Sequence, residues 1–241
     1  MKIINLPPKH LPTRPLTLTE LEEDIKKRLS LISKEFTEGF EFIKNYPSSV
    51  TFFGSSQTGE GTKYYEKARS LATRIVKELG YSIVTGGGPG IMEAANRGAQ
   101  EAGGVSIGLN IKLIHEQATN PYVTYSSQFY YFFVRKVCLS FSAETYIFFP
   151  GGFGTLDEMF EILTLIQTKK IEKVPIILFG KEYWGKLEGF IKEELLSSGL
   201  VDKEDFLLYT ITEDEDEVMR RIKNTPVQDG VPFENRHTKQ K

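Results

Sequence analysis

The sequence predicts an α/β fold: a doubly wound, mainly parallel sheet with helices on both faces, preceded by an N-terminal helix. Three observations carry this. Short β-prone runs alternate with helical periodicity from Val50 to about residue 223, the pattern of crossover units in a parallel sheet. Small-residue turns, Gly54-Ser55-Ser56, Gly86-Gly87-Gly88 and Gly151-Gly152, each follow a predicted strand. The chain of 241 residues, 40% hydrophobic and 26% charged, fits one globular domain with short appendages.

The elements follow in order. Residues 1–16 hold Pro7, Pro8, Pro12 and Pro15 and read as an extended arm. Thr17 or Thr19 caps a long amphipathic helix to about Tyr46, with Leu21, Ile25, Leu29, Ile32, Phe36, Phe40 and Ile43 on one stripe. Residues 1–47 are thus an arm and helix, 48–224 a Rossmann-like nucleotide-binding domain, and 225–241 a polar tail. Within the domain, strands are expected at 50–53, 81–85, 105–109, near 122–124, 145–149, 174–178 and near 207–211. Helices are expected at 62–79, 91–102, 128–142, 155–168, 183–198 and 214–223. Pro175 suits the first position of its strand or a sheet edge.

Composition excludes several function classes. The 30 basic and 32 acidic residues give a formal charge of −2, unlike a protein built to neutralise nucleic-acid phosphates. Cys138 is the single cysteine, so a disulfide framework is ruled out and a reducing compartment is expected. No apolar run approaches the roughly 20 residues that span a bilayer, and no signal core precedes the first prolines, so a cytoplasmic protein is expected.

Ligands of such folds sit outside the carboxyl ends of the strands. There the glycine-rich turns present backbone N–H groups at helix starts, which suits phosphate. Neither G-x-G-x-x-G nor G-x-x-x-x-G-K-[ST] occurs, so a mononucleotide fits better than a dinucleotide or ATP. The segment Pro150-Gly151-Gly152-Phe153-Gly154-Thr155-Leu156-Asp157-Glu158 joins a strand to a helix and ends in an acid. Thr155 and Glu158 also have the spacing of a capping box. With the helix starting near Gln128, Arg135 lies about 10 Å along it and reaches the crevice opposite Glu158. Glu116, in the polar segment after a strand, suits ribose hydroxyls or plain solvent. Neither zinc-ligand spacing nor a G-x-S-x-G elbow is present. No lysine lies in the glycine-rich loops to form a pyridoxal Schiff base.

Gly86-Gly87-Gly88-Pro89-Gly90-Ile91-Met92-Glu93-Ala94, Arg135-Lys136 and Pro150 to Glu158 resemble the Lonely Guy family over roughly residues 48–222. Its members are cytokinin riboside 5′-monophosphate phosphoribohydrolases, often mislabelled lysine decarboxylases. The family motif P-G-G-x-G-T-x-x-E is complete here, and Arg135 stands 23 positions before Glu158, as in the family. The resemblance implies Arg135 and Glu158 as catalytic residues. It implies substrate contacts from Gly54, Ser55, Gly86, Gly87, Gly88, Glu116, Lys136, Gly151, Gly152, Gly154, Thr155 and Thr164. The implied substrate is a nucleoside 5′-monophosphate, with no metal or organic cofactor. Phe132-Phe133-Val134 replaces the M-H-x of plant members, and the long N-terminal helix resembles a bacterial branch. The aromatic run and that helix point to a homodimer or larger assembly. A non-catalytic nucleotide- or cofactor-binding module is the competing expectation.

Overall fold

The computed structural model describes residues 17–112 and 119–224. Helix α1 (Leu18–Ile43) opens with a capping box in which Thr17 and Glu20 satisfy each other's backbone amides. Then come β1 (Ser49–Phe53), α2 (Lys63–Leu79), β2 (Ser82–Thr85), α3 (Ile91–Glu101), β3 (Ser106–Ile111) and β4 (Tyr125–Phe129). The second half contains α4 (Phe132–Ser140), β5 (Thr145–Phe148), α5 (Phe153–Gln167), β6 (Ile176–Phe179), α6 (Lys181–Phe190), β7 (Thr210–Thr212) and α7 (Glu215–Lys223). A π-helical turn, Ile191–Leu196, extends α6.

The seven strands form one sheet in the order β4-β3-β2-β1-β5-β6-β7, and every neighbouring pair is parallel. The chain winds outward from β1 to β4, returns, and winds the other way from β5 to β7. The reversal falls between β1 and β5, where doubly wound sheets open a crevice. Pro175 stands just before β6, an interior strand, and its carbonyl accepts from the Tyr146 amide at 3.0 Å.

Strand side chains alternate between two buried cores. Val50, Phe52, Ile147 and Phe149 face one side with α2, α3 and α7. Phe53, Tyr146 and Phe148 face the other with α4, α5 and α6. Helix α1 joins this second layer through Ile32, Phe36 and Ile43. Gly39 lets it approach closely, since a Cβ there would lie 2.6 Å from Cys138 Sγ. Among the described residues no helix is long and apolar enough to cross a membrane.

A buried polar network fixes the loop after β2. Asn96 on α3 accepts from Thr85 Oγ1 at 2.6 Å and Asn120 Nδ2 at 2.9 Å, and donates to Ser106 Oγ at 2.9 Å. Thr85 Oγ1 receives the Gly87 amide, while Asn120 donates to the carbonyls of Gly87 and Gly88. Asn96→Ala strands several of these groups without partners. A loss of about 3 kcal/mol is expected, to be measured by urea denaturation.

Two boundaries differ from expectation. The strand expected near 122–124 is β4 at Tyr125–Phe129, so the next helix begins at Phe132 rather than Gln128. Arg135 therefore sits in the first turn of α4, not about 10 Å along it. Helix α5 begins at Phe153, with Gly152 as a cap that makes no side-chain bond. Thr155 and Glu158 consequently lie inside the helix, and their capping box does not form.

Candidate active site

The loops after β1 and β5 meet at the reversal. Ser55 N donates to Pro150 O at 3.1 Å, and Ser55 O accepts from Ile91 N at 3.0 Å. Gly54, Ser55, Gly86, Gly87, Gly88, Gly151 and Gly152 thus gather at one end of the sheet. Gly151 must be glycine for close approach, since a Cβ there would lie 2.1 Å from Thr155 Oγ1 and 3.0 Å from Ser55 N. Tyr183 braces this turn from α6, donating to Gly151 O at 2.5 Å. A Cβ at Gly152 or Gly154 would meet nothing within 4 Å, so this rim is open.

The first turn of α5 contains no acid. Its first amides lack intrahelical acceptors, and its positive end is uncompensated by its own side chains. That end suits an anion. Thr155 is buried within this turn.

Glu158 lies one turn further along and is only 6% exposed. Its Oε2 is buried with no hydrogen-bond partner. Burial pushes its carboxyl up to about 7, while Arg135 and Lys136 pull the other way. Arg135 reaches in from α4. Its Nε donates to Leu109 O at the end of β3, at 2.6 Å. A Cβ on Gly86 would lie 2.3 Å from Arg135 Nη2, so only glycine admits the guanidinium there. Burial disfavours the arginine's charge and Glu158 supports it. The two groups sense each other, yet among the described residues no ion pair joins them. The Glu158 Oε2 without a hydrogen-bond partner is a buried acceptor that a polar group of a ligand would satisfy.

Helix α1 contributes to this arrangement. The Glu35 carboxylate receives the Tyr130 and Tyr131 amides at 2.7 and 3.0 Å, just before α4 begins. It supplies negative charge at the helix end that carries Arg135.

Other expected contacts are placed differently. Lys136 pairs with Asp157 at 2.8 Å and Glu161 at 3.3 Å, tying α4 to α5. Burial works against its charge, but these partners outweigh it and raise its pKa. Thr164 is exposed near the far end of α5, about 9 Å along the axis from Glu158. Glu116 lies outside the described residues. Asn110, not anticipated, is the last residue but one of β3, lies beside Gly87 and is 6% exposed. Its Oδ1 has no partner, while its Nδ2 donates to Thr119 Oγ1. The hint available was a polar residue directly after the alternating run 105–109.

A family model described as "Possible lysine decarboxylase" matches residues 92–222, which include Arg135 and the Pro150–Glu158 motif. The chain belongs to this family, the Lonely Guy family. One Lonely Guy relative, a cytokinin riboside 5′-monophosphate phosphoribohydrolase of Rhodococcoides fascians, is 28% identical over 153 residues, covering 61% of this chain and 75% of its own. LOG5 of Arabidopsis thaliana, named for the same activity, is 25% identical over 200 residues, covering 81% of this chain and 86% of its own. The molybdenum cofactor carrier protein of Chlamydomonas reinhardtii shares the fold with a TM-score of 0.54 at 21% identity, over 74% of this chain and 98% of that one. In the fold, Pro150–Glu158 runs from the β5–α5 connection into the first turns of α5.

Proposed function

We propose that the protein hydrolyses the N-glycosidic bond of a nucleoside 5′-monophosphate, AMP or an N6-substituted AMP of the cytokinin type, to free base and ribose 5-phosphate. The observation that carries this reading is the buried Glu158, with one unpartnered oxygen, set across from Arg135 beside an uncompensated helix N-terminus. The activity named for the R. fascians and A. thaliana relatives supports the same reaction.

The 5′-phosphate docks at the amides of Phe153, Gly154 and Thr155 and anchors the sugar. Asn110 Oδ1 and the Glu158 carboxylate are acceptors, suited to ribose hydroxyls and to a water. As the bond from C1′ to the base breaks, positive charge develops on the sugar. Ionised Glu158 stabilises that charge and takes a proton from the attacking water, whose oxygen bonds to C1′. The base leaves with the bonding pair and takes up one proton from solvent, while Glu158 returns the proton it took from the water to solvent, so that one water is consumed for each base released. Arg135 orients the ribose phosphate through charge-assisted hydrogen bonds. No step calls for a metal or organic cofactor.

Incubation with a panel of nucleoside 5′-monophosphates, followed by chromatography, tests the proposal. Free base and ribose 5-phosphate are expected, at a rate that rises as pH passes through about 7, where Glu158 ionises. Tight AMP binding without release of base would favour a carrier instead. The exposed Phe132, Phe133, Phe153 and Phe160 around α4 and α5 support a homodimer with an apolar rim.

A further inference from the structure

The N-terminal half of α1 stands clear of the domain. Residues 21–31 are all exposed, and the apolar Leu18, Leu21, Ile25 and Leu29 are 80%, 44%, 47% and 60% accessible. At about 100° per residue, these four and Ile32 fall within an arc of about 80°. They form one straight stripe that continues into the part of α1 docked on the core. A stripe this regular on an overhanging helix is costly to leave in water.

The stripe is also symmetric. Leu21 and Leu29 lie four residues either side of Ile25, and Leu18 and Ile32 lie seven either side. The charges beside it follow the same centre. Glu22 and Lys26 border one flank of the stripe, and Asp24 and Arg28 the other. On each flank the acid is N-terminal to the base. A second copy of α1 laid parallel and in register would set acid against acid and base against base. Laid antiparallel about Ile25, it sets Glu22 against Lys26 and Asp24 against Arg28 of the partner copy, on both flanks. Leu21 then packs beside Leu29 of the other copy, and Leu18 beside Ile32. Within one chain Arg28 already holds Asp24 at 3.1 Å, with both side chains more than half exposed.

We infer that the overhanging half of α1 is a self-association surface whose occupant is α1 of a second copy, paired antiparallel about a twofold axis at Ile25. Such a contact is isologous: one surface patch completes itself and closes. Its centre, Ile25, lies about two turns before Ile32, where α1 docks on the core, and the contact does not depend on the proposed hydrolysis.

Two measurements on the full chain test this together. Ile25→Asp places two carboxylates face to face on the axis. Because Ile25 is exposed, the variant should keep its melting temperature while its mass by light scattering falls to half that of the wild type. In the second, chains carrying Leu21→Cys are mixed with chains carrying Leu29→Cys under mild oxidation. The mixture should yield a disulfide-linked dimer, and neither variant alone should. In the antiparallel pair, identical positions 21 stand about 12 Å apart along the axis, beyond the roughly 7 Å limit for a disulfide. The native Cys138 is buried. An unchanged mass for Ile25→Asp overturns the inference, because the stripe then takes no part in self-association. A linked dimer from Leu21→Cys alone overturns it in favour of parallel pairing, and no link in the mixture overturns it as well.

Discussion

A Glu158→Gln protein is expected to fold, to lose about 10³-fold in turnover of a nucleoside 5′-monophosphate, and to be more stable than the wild type at pH 8. The two effects share one cause. Burial raises the Glu158 carboxyl from 4.5 to about 7, so the folded state holds this proton more tightly than the unfolded chain does. The resulting contribution to stability is complete below pH 4.5 and is lost as pH rises through about 7. Above that, the wild type carries a buried charge that costs on the order of 3 kcal/mol relative to the neutral acid. Glutamine never ionises and escapes this cost. Thermal melts of both proteins from pH 5 to pH 8 should diverge, with the variant higher by several degrees at the alkaline end. Parallel melts across that range would show that the carboxyl titrates normally. Undiminished release of base by the variant would remove Glu158 from the chemistry.

Replacing Arg135 separates charge from geometry. Arg135→Met removes the cation that holds Glu158's carboxyl down, and kcat/KM should fall by about 10²- to 10³-fold. The residual activity should also need a higher pH, because the carboxyl rises further without its counter-charge. Arg135→Lys keeps a positive charge, so the midpoint of the pH profile should stay near that of the wild type. It loses the bond from Nε to Leu109 O and the planar fork beside Gly86, so the rate should still drop. A pH profile identical in all three proteins would show that Arg135 does not act on Glu158.

The alternation of strands and helices was legible because each buried strand reads as a short apolar run between turn residues. Val50–Phe53 and Thr145–Phe148 are such strands. Strand β4 was harder. Its residues Tyr125-Ser126-Ser127-Gln128-Phe129 are mostly exposed, its polar centre carries little β preference, and pairing with β3 at the sheet edge is what makes them a strand. The β-branched Val123 and Thr124 place the expected strand three residues too early, and the expected start of α4 is early with it. Gly152 and Gly154 have the chemistry of a loop, yet α5 begins among them. A helix start left without its own acid or cap is what an anion site needs, so ordinary start signals misplace it. The pairing of Arg135 with Glu158 could be read from motif spacing. The supports of that pair, Asn110, Asn96 and Glu35, could not, because each acts through contacts far apart in the chain.

Glu35 has a mechanical meaning. Helix α1 is pinned where Gly39 meets Cys138 and Phe129. About 6 Å along the axis from Gly39, Glu35 grips the two amides that lead into Arg135's helix. The seating of α1 and the start of the helix that carries the guanidinium are thereby one mechanical unit, and the alignment of a sugar with a carboxylate rests on both.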